Sequence, residues 1–570
     1  MLYSAMHRPL PFFLVLLALV STAARSGEAK PVAFHDFYYE GDDITARAPL
    51  PAGHYRNPIL GGFHPDPSFC RVGDDYYLVN SSFIYFPGLP IFHSQDLVNW
   101  TPLGNAIDRP TQLNYDDVGV SQGIYAPAIT YRDGTFYIIC TMVGSHMAPG
   151  WSVNFIISAK NPAGPWSDPT PLPFEGMDPA LFFDNDGRAY IVNNGSPEGG
   201  AQYPGHAAIW LQEFDLKSTR MVGPRTMIVN GGVDLAKTPW YIEGPHLFKR
   251  KDHYYLICAE GGTEYNHSEV VFRSDTVSGP YKPWNQNPIL TQRDLSPNVP
   301  GAVVSAGHAD IARGPDGKDW AVFLACRPYE RTRYVTGRET FMLPVHWTND
   351  DWPVILPAGQ RVPLIVPSPK AVSINPANPH LLNGNFTWKD SFDSALLNPE
   401  WLMIRQPHQT WLHIRNHTLW LTPQTASLAL DGQPAFIARR VQHSRFTARA
   451  TIAIPSEANT SAGLAVFQNE KHFYFLGVHG SAHPTLFLEQ TKGDTHPAEL
   501  ASTKLSAAGE IHLQLRVIDG SIEASFSQDG TTWQRLGSKA DASILTTEVA
   551  GGFVGAMLGL YARLDPTSTP

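Results

Sequence analysis

Charge is scarce in this chain: 16% of its 570 residues are Asp, Glu, Lys or Arg, and the acids outnumber the bases for a formal net charge of −10. No run of Lys and Arg occurs. Binding to a phosphate backbone rests on clustered cations that displace counterions, so nucleic acid is not expected as a partner. Cysteine is sparse as well. Cys70, Cys140, Cys258 and Cys326 are far apart and show no metal-site spacing. Cys140 and Cys258 fall at matching places of a repeat described below, on units that are not neighbours, so buried thiols are expected of that pair. Long apolar runs are missing except at the start, where "LPFFLVLLALV" follows a positively charged Met1 to Arg8 and precedes the small residues of "STAARS". Its 11 residues are short for a bilayer. The segment therefore reads as a signal peptide over 1–24, with a secreted or periplasmic protein and no membrane span expected.

Aromatics and turn formers are abundant: 14 Trp, 22 Tyr and 29 Phe stand with 47 Gly and 49 Pro. That composition suits short strands, tight turns and sugar rings bound on aromatic faces. A turn followed by an aromatic strand occurs five times, as "GDDYYLVNSS", "DGTFYIICTM", "DGRAYIVNNG", "KDHYYLICAE" and "DGKDWAVFLA". The aligned Tyr77, Tyr137, Tyr190, Tyr255 and Trp320 are 60, 53, 65 and 65 residues apart. Each interval holds about four short strands, the size of a propeller blade. Five blades over 50–355 are expected.

Twelve residues before four of those aromatics stand Tyr125, Asp178, Glu243 and His308, and eleven before Tyr77 stands Asp66. If these are innermost strands, all five positions face one channel and three acids converge there. Mutual repulsion then predicts that at least one carboxyl keeps its proton at neutral pH. Asp66 lies between two prolines in "HPDPS", and Pro67, Pro179 and Pro245 recur just after the acids. The prolines are expected to hold Asp66 extended and to aim it. An acid and a base on opposite sides of a bond, with a third carboxylate controlling protonation, suit glycosidic cleavage.

"NPILGGFHPDPSF", "GMDPALFFD", "YIEGPHLF", "GGTEYNHSEVVFRS" and "GRETFMLPVHW" resemble the motif series of glycoside hydrolase family 43, particularly its two-domain β-xylosidase and α-L-arabinofuranosidase members. The resemblance implies an inverting enzyme in which Asp66 is the general base, Glu243 the general acid, and Asp178 the residue that orients Glu243 and tunes its pKa. It further implies that Arg338 contacts sugar hydroxyls and the acids, and that Phe83, Tyr125 and His308 line the sugar pocket. No cofactor is implied as required. In related propellers a central calcium with waters sits on the equivalent of His308, although a lone histidine without oxygen-rich neighbours is a weak metal signal. Where family members often read W-A-P-H, this chain reads "YAPAI", with Tyr125 for the tryptophan and Ala128 for the histidine. The smaller ring and the lost imidazole are both expected to alter the pocket wall.

From 356 to 384 a Pro- and Asn-rich stretch reads as a linker. Beyond it, over 385–565, "TARATIAI" and "IHLQLRVIDGSIEASFSQDGTTWQRL" alternate apolar and polar residues around DG turns. That pattern predicts a β-sandwich with sheets covered on one face. The fold class expected is thus all-β, a five-bladed β-propeller followed by a C-terminal β-sandwich. The resemblance casts the sandwich as a lid that leaves room for a chain end, and hence implies exo action on hemicellulose-derived oligosaccharides. An endo-arabinanase-like hydrolase and a non-catalytic sugar-binding propeller are the competing readings.

Overall fold

The computed structural model describes residues 29–144, 152–370, 382–429, 432–494, 496–506 and 509–565. The signal peptide expected over 1–24 lies outside them. Among the described residues no helix is long and apolar enough to cross a membrane.

Five antiparallel sheets form the blades of a propeller. Their inner strands are Ser68–Val72, Gly123–Arg132, Met177–Phe183, Ile242–Arg250 and Val304–Arg313, and each pairs with a turn-aromatic strand found by the repeat. The ring closes through the segment that leads into blade 1. Residues 57–60 lie beside the third strand of blade 5, Glu339–Pro344: Ile59 N–H donates to the Thr340 carbonyl at 2.9 Å, and the Asn57 side chain accepts from Met342 N–H at 3.0 Å.

The segment read as a linker contributes to this closure. Ile365–Pro367 pairs with His54–Arg56, and Val362, Val366 and Leu382 are buried in the propeller core. Residues 371–381 of that stretch lie outside the described ones; the part before them is irregular but packed. The strand Val32–Gly41, which the sequence pattern assigned to neither domain, joins the sandwich by pairing with Arg445–Ala453 and Thr387–Asp390.

The sandwich consists of two eight-stranded sheets. One behaves as the alternation predicts: Glu510–Ile518 buries every second residue. The other is covered on both faces, and Thr460–Asn469 is buried along nearly its whole length. Its inner face meets the first sheet. Its outer face, with Phe436, Phe467, Phe473, Phe475 and Tyr561, packs against Phe63, Tyr85, Ile124 and other residues of blades 1 and 2. Its edge is a propeller segment, since Tyr85–Phe86 pairs with Leu402–Ile404. The two domains therefore share a sheet and a core, and the pocket described next depends on that union. Trp411 belongs to the sandwich core. All four cysteines are free, with Cys140 and Cys258 buried.

Candidate active site

The inner strands carry the site through a repeated backbone irregularity. Asp66, Ala126, Asp178, Gly244 and His308 all have positive φ, from +38° to +56°. In blades 2 to 5 the pairing register slips around that residue. Such bulges re-aim side chains at the cost of local strain. Asp66, at φ +50°, is therefore not held in the extended geometry expected from its flanking prolines. The corner also revises the alignment by one residue. Proline follows it in four blades, as Pro67, Pro127, Pro179 and Pro245, so the true equivalents of Asp66 and Asp178 in blades 2 and 4 are Ala126 and Gly244. Tyr125 and Glu243 reach the channel from one position earlier. Gly244 is required twice over, by its φ of +56° and because a Cβ there would meet the His308 ring at 2.9 Å.

Hydrogen bonds across the channel tie these corners together. Ser81 Oγ donates to Asp66 Oδ2 at 2.6 Å and accepts from Ala126 N–H at 2.7 Å. Gly244 N–H donates to Asp178 Oδ2 at 3.1 Å, which pins the backbone beside Glu243. Arg338 Nη1 donates to Asp66 Oδ1 at 3.2 Å. His308 Nδ1 stands 3.8 Å from the same oxygen.

All seven residues singled out in the sequence line one pocket of about 340 Å³: Asp66, Phe83, Tyr125, Asp178, Glu243, His308 and Arg338. Ala128 does not. It packs in the apolar core with Ile139 and Ile156, so replacing a histidine there changes the packing behind the wall and not the wall itself. The pocket also takes in residues that sequence reasoning missed, among them Val143, Met177, Trp240, Tyr241 and Phe553. Trp240 and Tyr241 sit just before Glu243 in "TPWYIEG", a proximity that was legible. Phe553, in the sandwich loop "GGFVG", carries no local signal.

That loop is anchored from both domains. Phe553 N–H donates to Ser121 Oγ at 3.0 Å, and Gln468 Nε2 donates to the Val554 carbonyl at 2.8 Å. The Phe553 ring lies 6.4 Å from Phe83 and 6.0 Å from Tyr125, with the Arg338 guanidinium 5.6 Å from its centroid. Tyr125 OH is held by the Ser121 carbonyl.

The three acids are buried but differ electrostatically. Burial pushes Asp66 up, yet Arg338, His308 and Ser81 together pull harder and leave its carboxyl below the usual aspartate range. Burial also lowers His308, to about 4, so near neutrality it is uncharged and Arg338 with Ser81 carries the effect. Asp178 and Glu243 shift the other way. Burial raises Glu243 first and the negative charges of Asp178 and Asp66 add to it; burial and Asp66 likewise raise Asp178. At neutral pH the pocket thus holds an ionised Asp66 facing a pair that retains a proton, an acid and a base set apart by environment.

The calcium that the resemblance attaches to His308 finds a poor donor set. Calcium takes roughly six to eight oxygens. Among the described residues no three His, Cys, Asp or Glu side chains are placed to hold a metal, and the group bonded to Asp66 is already a cation.

Residues 55–353 match the model of glycosyl hydrolases family 43, and residues 389–569 match the β-xylosidase C-terminal concanavalin A-like domain. The chain belongs to glycosyl hydrolases family 43. It is a glycoside hydrolase. A xylosidase/arabinosidase of Butyrivibrio fibrisolvens is 35% identical over 518 residues, 89% of this chain and 95% of that protein. The non-reducing end α-L-arabinofuranosidase BoGH43B of Bacteroides ovatus is also 35% identical, over 89% and 91% of the two chains. Among solved structures, a GH43_12 protein from a capybara gut metagenome superposes with a TM-score of 0.87 at 39% identity, covering 94% of this chain and 100% of that one.

Proposed function

We propose that this glycosidase removes a terminal xylose or arabinose from xylan- or arabinan-derived oligosaccharides with inversion of configuration. The observation that carries the reading is the division of protonation within one buried pocket. Asp66, ionised, takes a proton from water as the water attacks the anomeric carbon. Glu243, protonated, gives its proton to the leaving oxygen as the glycosidic bond breaks. Asp178 accepts from the Gly244 N–H and places its charge beside Glu243, so it orients the acid and keeps it protonated. Arg338 holds Asp66 ionised, and Phe83, Tyr125 and Phe553 offer aromatic walls to the ring.

The size of the pocket supports exo action. About 340 Å³ is at the small end of ligand sites, roughly 300–1,000 Å³, and Phe553 of the sandwich narrows it. A chain end fits such a space better than the middle of a polymer, which disfavours the endo reading. The named activities of the relatives favour xylose and arabinose as the sugars released. No step is assigned to a metal or cofactor. Export to the periplasm or medium is part of the proposal, resting on the N-terminal apolar segment.

Purified protein should hydrolyse an aryl β-xyloside, an aryl α-L-arabinofuranoside or both. Proton NMR during the reaction should show the inverted anomer first, α-xylose from a β-xyloside. First appearance of the retained anomer would overturn the inverting mechanism, and sugar binding without turnover would leave a lectin-like propeller.

A further inference from the structure

Trp240 is the one large aromatic of the pocket that is mostly open to solvent, with 52% of its surface exposed. Its position is built. Two glycines with positive φ flank the indole: a Cβ on Gly205 would approach ring atom Cδ2 at 2.6 Å, and one on Gly262 would approach Cδ1 at 3.0 Å. The peptide on either side is fixed too. Gly261 N–H donates to the Trp240 carbonyl and Tyr241 N–H to the Gly205 carbonyl, both at 2.8 Å. An exposed indole costs solvation and gains nothing for the core, so a backbone shaped to accept it calls for an apolar partner from outside.

The surroundings indicate where that partner comes from. Trp240 is three residues before Glu243, on the approach to the same inner strand. Beyond it a second cleft of about 620 Å³, lined by Phe174, Glu175, Gly205 and His206, shares Met177 and Tyr241 with the pocket. The open side of the site therefore runs past Trp240, on the flank where the acid stands.

We propose that the Trp240 indole is the platform for the leaving sugar, stacking against the ring next to the scissile bond and directing the rest of the oligosaccharide toward the neighbouring cleft. The assignment rests on the reading of Glu243 as the acid, since the leaving sugar must lie beside the group that protonates its oxygen. Trp240 binds and positions the leaving group and takes no part in proton transfer. The ligand recognised is a neutral pyranose or furanose with an apolar face.

The test compares leaving groups with and without a ring. For xylobiose and β-xylosyl fluoride, or their arabinofuranosyl counterparts, Trp240→Ala should lower kcat/KM on the disaccharide by about 10- to 100-fold, chiefly through KM. Turnover of the fluoride, whose leaving group is one atom, should fall by much less than turnover of the disaccharide. Trp240→Phe should fall between the two enzymes. Gly205→Ala, which displaces the indole without removing it, should reproduce the disaccharide defect. An unchanged disaccharide KM in Trp240→Ala would overturn the assignment, and so would equal losses on disaccharide and fluoride, which would make the indole a prop for its loop. If the unmodified enzyme cleaves neither substrate, the proposed function fails and takes this assignment with it.

Discussion

Blades 1 and 4 turn the same corner with different residues. Each enters its inner strand through a positive-φ residue followed by proline, Asp66-Pro67 at +50° and Gly244-Pro245 at +56°. In blade 1 the corner residue itself bears the carboxylate, which lands on Arg338 and Ser81. In blade 4 the His308 ring leaves no space for a side chain at the corner. The carboxylate comes instead from the residue before, on a side chain one methylene longer, and lands beside Asp178. One backbone device thus presents two acids, and the neighbours decide which keeps its proton.

The heaviest blow to this arrangement is Asp66→Asn. The amide preserves the shape but cannot take the proton from water, so turnover should fall by at least about 10²–10⁴-fold for good and poor leaving groups alike, while sugar binding persists. Steady-state rates on both classes, with binding followed by calorimetry, check it.

Gly244→Ala attacks the corner itself. A Cβ at positive φ, pressed on His308, should cost about 1–3 kcal/mol of stability and shift Glu243. Denaturant midpoints and turnover should drop together. A variant as stable and active as the parent would show that blade 4 needs no glycine.

Asp178→Asn separates the two acids more gently. Removing the negative neighbour relieves the repulsion that helps hold Glu243 protonated, so the pKa of Glu243 should fall. The alkaline limb of kcat/KM against pH should therefore move to lower pH, while the acidic limb, governed by Asp66, stays at its place. An alkaline limb that stays fixed would deny Asp178 its tuning role.

The last expected effect is on the pH dependence of stability. Glu243 is raised from 4.5 to about 8 in the folded protein. Between those pH values the unfolded chain releases a proton that the native state keeps, so the native state loses relative stability as pH rises. Glu243→Gln has no such proton. Its thermal midpoint should equal the parent's below about pH 4 and exceed it increasingly toward pH 8, as scanning calorimetry across that range would reveal.

The blade count was legible because each blade repeats a turn and an aromatic strand, and the acids lie at a nearly constant offset from that marker. The offset misled by one residue because the hairpin turns differ in length: each corner lies four residues before the residue paired with its aromatic, but that paired residue lies 7 positions before Tyr77, Tyr137 and Tyr255 and 8 before Tyr190 and Trp320. Only "DP", "AP", "DP" and "GP" at Asp66, Ala126, Asp178 and Gly244 hint at the shared corner, and the hint lies in the proline. The sandwich was readable from alternation in Glu510–Ile518, but not its second sheet, whose outer face is apolar because the propeller covers it. Membership of Val32–Gly41 in that domain depends on pairing with strands about 400 residues away, which no local pattern records. Phe553 was invisible for the same reason: a loop phenylalanine becomes a pocket wall only through the docking of the domains.

The division of labour between the two acids is the claim on which the rest depends, and a leaving-group series tests it most directly. On aryl glycosides spanning good to poor phenols, Glu243→Gln should show a far steeper fall of kcat/KM with leaving-group pKa than the parent, approaching parental rates only for the best phenols. Asp66→Asn should keep the parental slope at a uniformly lower rate. Parallel slopes in Glu243→Gln and the parent would remove the acid role from Glu243, and a steep slope in Asp66→Asn would remove the base role from Asp66; either would contradict the account.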